Sequence, residues 1–276
     1  MQAKSIIGIV AVILLIGGAA FGLYTLNKAQ ASGKTIEHPT VFVHGYKGTY
    51  YSFAHMLHRF DQTYDWGQTS LIYEVSRTGE LTVHELTNGQ VRKPVSIQVI
   101  FRNNRASVEK TTGWLAKVLA QMKETFNMNT VNLVSHSMGS LVATNYIEQY
   151  HDKATSPDIG KLIAIGGPFG GIYNDAYFKT NHDPAADDLK PGSRALKKLQ
   201  MNKDAIPDHL KILSIGSVGD PVAVPESVAI IRRITDDRQL DYQMIHDPSL
   251  GHSELHDDYR VDRMVHKFLE TSDETE

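Results

Sequence analysis

The feature that most constrains the fold of this chain is a serine held between a strand pattern and a helix pattern. The apolar run at 131–134 ends at Ser-His-Ser-Met-Gly, with Ser137 at its centre. An amphipathic helix pattern follows at once, with apolar residues at 142, 143, 146, 147 and 150. This is the layout of a nucleophile elbow, whose sharp turn lifts a Ser hydroxyl above the edge of a parallel sheet. Only small neighbours fit: Gly139 meets this need, and Ser135 replaces the usual glycine.

Two later residues fit the partners that such a serine requires. A serine hydroxyl is a weak nucleophile and needs a His base that is oriented by a carboxylate. In this architecture the acid and then the base follow the serine along the chain. Asp220 follows the buried strand pattern 211–216, at the carboxyl edge of the predicted sheet. His252 lies in the loop that follows the strand pattern 242–245. We therefore predict Asp220 as the orienting acid and His252 as the base.

Other side chains compete for both roles. His256 lies four residues beyond His252 and closer to the last helix pattern, so it is the alternative base. Asp247 shares the loop of the base, and Asp241 starts its strand at the wrong edge of the sheet. Both placements favour Asp220 as the acid.

Acyl transfer also needs N–H donors for the developing oxyanion. One donor is normally the amide that follows the nucleophile, which here belongs to Met138. A second would come from the loop after the early strand pattern 40–43, where His-Gly-Tyr-Lys-Gly allows the backbone to turn inward. We predict the Tyr46 amide as that donor. His44 either borders the substrate pocket or is a structural hydrogen-bonding residue.

The rest of the chain alternates strand and helix patterns, as a parallel sheet with crossover helices requires. Strands are predicted at 94–101 and 162–165, and helices around 115–126 and 261–269. The segments 70–75 and 81–86 flank a polar turn and predict a hairpin that adds antiparallel strands to one edge. The predicted fold is therefore α/β, with a mostly parallel central sheet and helices on both faces.

From about Thr40 to Leu269 the chain resembles the α/β-hydrolase superfamily and, within it, a family of bacterial cell-surface α/β-hydrolases of poorly defined substrate. The resemblance rests on five motifs in this order: Phe-Val-His-Gly at 42–45, Leu-Val-Ser-His-Ser-Met-Gly at 133–139, Gly-Gly-Pro-Phe-Gly-Gly at 166–171, Gly-Asp-Pro-Val-Ala-Val-Pro at 219–225 and His-Ser-Glu-Leu-His at 252–256. It implies a Ser-Asp-His hydrolase that acts on esters.

The stretch 169–203 interrupts the alternation and is rich in Gly, Asn, Asp and Pro. One interpretation is a short cap whose aromatic side chains line an acyl pocket. The alternative is a solvated connection whose aromatic side chains pack on the body. Under the first interpretation the candidates for the substrate pocket, together with His44, are Phe169, Tyr173 and Tyr177.

No cofactor and no metal is predicted. Four aspartates of the same stretch could suggest a calcium site, but their spacing matches no EF-hand loop: Asp175, Asp183, Asp187 and Asp188. His252 and His256 have a spacing that could hold zinc on a helix, yet the Glu that directly follows the first His in zinc hydrolases is replaced by Ser253.

The amino terminus carries an uninterrupted run of uncharged, mostly apolar residues from Ile6 to Leu26. About 20 such residues span a bilayer as a helix. Small residues around Ala31 could instead form a signal-peptide cleavage site, and a buried core helix is a third interpretation. We expect residues 1–31 to be a leader helix that acts as membrane anchor or cleaved signal. Lys4 favours an inside amino terminus, so the domain is expected outside the cytoplasmic membrane, anchored or secreted.

Composition limits the remaining possibilities. The chain has no cysteine, which excludes disulfides, thiolate catalysis and Cys-based metal sites. A net charge of −3 without a basic stripe disfavours nucleic acid as a partner. We divide the chain into the leader, a linker at 32–39, one catalytic domain at 40–270 and an acidic tail at 271–276.

The substrate is open at this stage. An ester of a small molecule or a lipid is the expected substrate, and a peptide or thioester is an alternative for the same three residues. A non-catalytic surface protein that keeps the fold for binding is the alternative from another class.

Overall fold

The computed structural model describes residues 38–87 and 94–270. The predicted leader, most of the linker and the acidic tail lie outside these residues. Among the helices that are described, none combines the length and the apolar character that crossing a bilayer requires.

A single sheet organises the described chain. Its strands are β1 (Thr40–Val43), β2 (Gln68–Val75), β3 (Leu81–Glu85), β4 (Val95–Phe101), β5 (Thr130–His136), β6 (Asp158–Ile165), β7 (Lys211–Ser217) and β8 (Leu240–Ile245). Their order is β3-β2-β4-β1-β5-β6-β7-β8. All neighbours are parallel except β2 and β3.

The predicted hairpin forms, but only one of its strands is antiparallel to the rest of the sheet. β3 pairs antiparallel with β2, whereas β2 pairs parallel with β4. The reason is that β1 and β2 are joined through a helix, and such a crossover returns the chain in the same direction. The prediction of antiparallel strands at this edge is therefore correct for β3 and wrong for β2.

Helices cover both faces of the sheet. They are α1 (Tyr51–His58), α2 (Val108–Phe126), α3 (Met138–Tyr150), α4 (Asp175–Phe178), α5 (Pro184–Asp188), α6 (Arg194–Met201), α7 (Pro225–Val228) and α8 (Tyr259–Glu270). Side chains alternate along a strand, so Val41 packs with Leu115 of α2 on one face. Its neighbour Phe42 packs with Phe53 of α1 and Val261 of α8 on the other.

Helix α3 differs from its prediction. The apolar spacing predicted an amphipathic helix, but every residue from Met138 to Glu148 is buried. Helices α2 and α6 pack against it in addition to the sheet. A helix that is covered on all sides belongs to the centre of the domain, and its amino terminus is therefore a rigid support.

Residues 169–203, called the cap segment below, contain α4, α5 and α6. Several of its apolar side chains are fully or almost fully buried and belong to the main core: Ile172, Ala185, Leu189, Leu196 and Leu199. The cap segment is therefore packed on the body rather than standing away from it.

Candidate active site

Ser137 occupies the turn between β5 and α3 with a strained backbone. Its φ of 56° and ψ of −130° lie in a region that residues with a side chain rarely adopt. The turn is held because the Ser137 N–H donates to the Ile165 carbonyl of β6 at 2.9 Å. The hydroxyl is thereby presented at the carboxyl edge of the sheet, as the elbow pattern predicts.

The small residues around Ser137 are required by close approach. A Cβ at Gly139 would lie 2.4 Å from the Val43 carbonyl oxygen. A Cβ at Gly45 would lie 2.7 Å from the Ser137 Cβ and 3.1 Å from the Met138 nitrogen. The loop after β1 therefore lies directly against the elbow. The departure at Ser135 is accommodated because its hydroxyl donates to a β6 carbonyl, that of Ile163, at 2.8 Å.

Ser137, His252 and Asp220 form one chain of hydrogen bonds. His252 Nε2 lies 2.8 Å from Ser137 Oγ, and His252 Nδ1 lies 2.7 Å from Asp220 Oδ2. A carboxylate only accepts hydrogen bonds, so Nδ1 carries the proton and Nε2 is free to accept one from the hydroxyl. The Asp220 side chain is fully buried. Its other oxygen accepts the N–H groups of Val222 at 2.8 Å and Ala223 at 2.9 Å.

The competing side chains lie elsewhere. No hydrogen bond of the described residues joins His256 to Ser137 or Asp220. Its ring packs near Phe53, with 6.2 Å between the ring centroids. Asp247 accepts a hydrogen bond from Arg260 at 2.8 Å. The geometry therefore favours His252 and Asp220 over the alternatives that the sequence left open.

The loop that carries Tyr46 approaches the amide of Met138, the other predicted oxyanion donor, because a Cβ at Gly45 would lie 3.1 Å from the Met138 nitrogen. Met138 is the first residue of α3, so its N–H has no partner within the helix. Tyr46 follows Gly45, whose backbone approaches both Ser137 and the Met138 nitrogen. The positive end of the α3 dipole adds to the attraction for a developing negative charge.

The side chain of Tyr46 connects this loop to the cap segment. Its hydroxyl donates to Asp183 at 2.7 Å, and Arg105 donates to the same carboxylate at 2.8 Å. Asp183 also accepts the Ala186 N–H and so caps α5. Burial and the Asp183 carboxylate raise the pKa of Tyr46, which keeps its proton on the hydroxyl.

His44 is held by the backbone on both sides of its ring. Nε2 accepts the Phe101 N–H at 3.0 Å, and Nδ1 lies 2.9 Å from the Gly45 carbonyl oxygen, to which it donates. Burial lowers the pKa of His44 to about 4, with the Gly45 bond acting weakly in the opposite direction. These contacts favour the structural role for His44 over a place in the pocket.

The three aromatic pocket candidates lie in different surroundings. Phe169 is fully buried in the core, which is not where a pocket side chain would meet a ligand. Tyr173 is half exposed, with its hydroxyl against Gly170. Tyr177 packs beside Tyr46, with 6.3 Å between the ring centroids. Tyr177 is the member of this set that lies next to the loop after β1.

Two features were missed by sequence reasoning, a groove that none of Ser137, Asp220 and His252 lines and a histidine beside the nucleophile. A groove of about 520 Å³ lies along the ends of β2, β3 and β4, with Gly48 in its wall and the exposed Tyr50 and Tyr51 at its side. The tyrosine pair directly after the His-Gly loop was the signal that could have indicated it. The second feature is His136, whose ring lies 4.7 Å from that of His252.

Three aspartates of the cap segment have partners from the protein itself: Asp183, Asp187 and Asp188. Asp187 lies 2.6 Å from the Lys190 ammonium, and Asp188 accepts the Val108 N–H at 2.7 Å. Across residues 38–87 and 94–270 no three His, Cys, Asp or Glu side chains are grouped so that they could hold a metal ion.

Fold and site together define an α/β hydrolase. Over residues 27–272 the chain matches the family described as "Alpha/beta hydrolase of unknown function (DUF915)", and it belongs to that family. No curated protein matches the chain.

Solved structures show the same fold at low sequence identity. The lin2722 gene product of Listeria innocua is 21% identical, with a TM-score of 0.70 over 87% of this chain and 96% of that one. A "putative cell surface hydrolase" from Lactobacillus plantarum WCFS1 is 18% identical, with a TM-score of 0.64 over 85% and 90%. Est1E from Butyrivibrio proteoclasticus is 14% identical, with a TM-score of 0.53 over 87% and 90%.

Proposed function

We propose that this protein is a serine hydrolase that cleaves carboxylic esters. The observation that carries the proposal is the chain of hydrogen bonds from Ser137 through His252 to Asp220. Each bond has the donor and acceptor that nucleophilic catalysis requires. Two further solved structures with this fold have names that agree with ester chemistry: a "Lipase-esterase related protein" from Clostridium acetobutylicum and a "monoacylglycerol lipase" from Paleococcus ferrophilus.

In the proposed mechanism the first half of the reaction acylates the serine. Ser137 Oγ attacks the ester carbonyl carbon while its proton passes to His252 Nε2. Asp220 holds the imidazole in the required tautomer and stabilises the imidazolium that forms. The carbonyl oxygen becomes an oxyanion that accepts the N–H groups of Met138 and Tyr46. His252 then gives the proton to the leaving alcohol, and the acyl group stays on Ser137.

The second half releases the acid. Water enters the place of the alcohol and gives a proton to His252 as it attacks the acyl carbon. The same two amides hold the second oxyanion. When this intermediate collapses, the proton returns to Ser137 and the carboxylic acid leaves. No metal takes part, so turnover should survive an excess of EDTA.

The test combines covalent labelling with a substrate series. A fluorophosphonate should label the wild type at Ser137, and p-nitrophenyl esters of increasing chain length should be hydrolysed with one preferred length. The Ser137→Ala variant should do neither. Thioesters and peptides in the same series would reveal the alternative chemistries. Absence of labelling in well-folded wild type would contradict the proposal and favour a non-catalytic binding protein.

We also propose that the catalytic domain, residues 40–270, acts outside the cytoplasmic membrane. The support is the apolar run in residues 1–31 together with the name of the Lactobacillus plantarum neighbour. Protease added to intact, wall-stripped cells should digest the domain. A mature chain that begins at Met1 would indicate an anchor, and one that begins at Ser32 a cleaved signal. Protection until the cells are lysed would contradict export.

A further inference from the structure

The residue before the nucleophile makes a contact that the proposed mechanism does not use. His136 ends β5 and is 6% exposed. Its Nε2 lies 3.0 Å from the carbonyl oxygen of His252. One residue of the rigid central strand therefore contacts the backbone of the residue proposed as the base.

The partner defines the state of the His136 ring. A carbonyl oxygen only accepts hydrogen bonds, so the proton must be on Nε2 of His136. Burial lowers the pKa of His136 well below its ordinary value, and the nearby imidazoles of His252, His256 and His44 add to this effect. The ring is therefore neutral, with one donor, and that donor is directed at the His252 carbonyl.

His136 also supports the His252 ring directly. The two imidazoles lie with 4.7 Å between their centroids and 41° between their planes. On its other side His136 meets the edge of His256 at 4.8 Å and 90°. The His252 imidazole thus lies against a buried ring that is carried by β5 and packed between two other imidazoles.

The loop between β8 and α8 needs such a support. It carries His252 but has no sheet ladder of its own beyond Ile245. Ser217 donates to the Leu250 carbonyl at 2.8 Å, which holds the loop two residues before His252. The His136 bond holds it at His252 itself. A displacement of about 1 Å at a reacting group can cost about 100-fold in rate, so this attachment at His252 itself bears directly on activity.

We propose that His136 is a positioning residue that fixes the height and rotation of the His252 imidazole against Ser137 and Asp220. This inference rests on the proposed function. Its test uses a signal that exists without any substrate, the NMR resonance of the His252 Nδ1 proton in its bond to Asp220.

The variants separate the hydrogen bond from the volume of the ring. His136→Gln keeps an N–H donor at about the place of Nε2, whereas His136→Asn is one methylene too short to reach. His136→Met keeps the volume without a donor. The control is His151→Met, because His151 also bonds a backbone carbonyl, that of Ile147 at 2.8 Å, but at the far end of α3.

The Gln variant should keep the His252 proton signal and stay within about threefold of wild-type kcat. The Asn and Met variants should lose or broaden the signal and lose about 10- to 100-fold in kcat per labelled site, with KM little changed. The control should match wild type. If the Met variant does not fold, the comparison of Gln with Asn still decides.

Folded Asn or Met variants with the wild-type signal and kcat would overturn the positioning role. Loss of the signal in the Gln variant as well as in the Asn variant would also overturn it, because the donor would then be irrelevant. If wild type showed the signal but hydrolysed no ester and reacted with no fluorophosphonate, the proposed function would fail. The positioning role would then stand or fall on the proton signal of the variants alone.

Discussion

Helix α3 carries buried polar side chains at both of its ends, and their surroundings differ. At the amino end, Ser137, His252 and Asp220 are joined by hydrogen bonds, and both oxygens of Asp220 have partners. Near the carboxyl end, Glu148 is buried to 7% exposure, and within the described residues no well-aligned hydrogen bond reaches its carboxylate. The buried polar groups that meet at the amino end of α3 are thus fully partnered, whereas Glu148 near its carboxyl end is not.

The two ends also differ in charge. Burial raises the pKa of Glu148 to about 8, although the Asn202 amide and the Lys198 ammonium lower it in part. The negative end of the helix dipole disfavours ionisation further. Glu148 is therefore protonated at neutral pH. We therefore expect the buried polar groups at the amino end to serve the proposed chemistry and Glu148 to lower the stability of the protein.

The largest effect is expected when the proposed nucleophile at the amino end of α3 is removed. Ser137→Ala should lower kcat by about 10⁴- to 10⁶-fold, because the remaining groups cannot form an acyl-enzyme. Ser135→Ala is the matched control, since it removes a hydroxyl two residues earlier. The control should keep its activity and lose about 1 kcal/mol of unfolding free energy with its bond to Ile163. Substantial ester turnover by Ser137→Ala would show that the nucleophile lies elsewhere.

The second test compares two histidines of one loop. His252→Ala should be almost inactive because the serine loses its base. His256→Ala should stay within about tenfold of wild type, since His256 packs near Phe53 and acts only through the neighbouring rings. The measurement is kcat/KM for a p-nitrophenyl ester, with labelled sites counted. The opposite ranking would make His256 the base.

The third test uses acid. His44 and His136 stay neutral in the native protein, while their unfolded forms bind a proton below a pH of about 6.5. Between pH 6.5 and about 4 the His44 ring should therefore lower the unfolding free energy as the pH falls, by about 1.4 kcal/mol per pH unit. Below pH 6.5 His136 acts in the same direction, and above pH 4.5 Glu148 acts in the opposite direction. Urea unfolding at several pH values measures this slope. His44→Gln should remove the contribution of one ring from this slope, about 1.4 kcal/mol per pH unit. An unchanged slope would contradict the buried neutral state of His44.

The smallest effect is expected at the carboxyl end of α3, where Glu148 is replaced and the stability of the protein is measured. Between pH 4.5 and 8 the native protein keeps the Glu148 proton while the unfolded chain loses it, so Glu148 lowers stability as the pH rises. Glu148→Met should raise the unfolding free energy at pH 8 by about 1 to 3 kcal/mol without changing kcat. Glu148→Gln, which stays polar but cannot ionise, should gain less. A Met variant that is less stable at pH 8 would refute this interpretation.

Much of the sheet and the order of the site residues could be predicted from the sequence. The elbow motif and the strand-end positions of Asp220 and His252 are local signals, and the geometry brings the three side chains together. The amphipathic character predicted for α3 was wrong because α2 and α6 cover its polar side, and the periodicity of one helix does not report its neighbours. The role proposed for His136 was missed because its partner, His252, is 116 residues away in sequence. The surroundings of Phe169 depend on packing that periodicity does not report.

The backbone of Ser137 has a consequence for how this protein would respond to selection. Its dihedral angles suit glycine, and strain of this kind costs about 1 to 3 kcal/mol. Ser137→Gly would relieve the strain, with part of the gain lost to the greater freedom of glycine in the unfolded chain. A screen for heat resistance alone would therefore favour this substitution, and a screen for turnover would reject it. At position 137 the residue that would give the most stable protein and the residue that the proposed activity requires are therefore different.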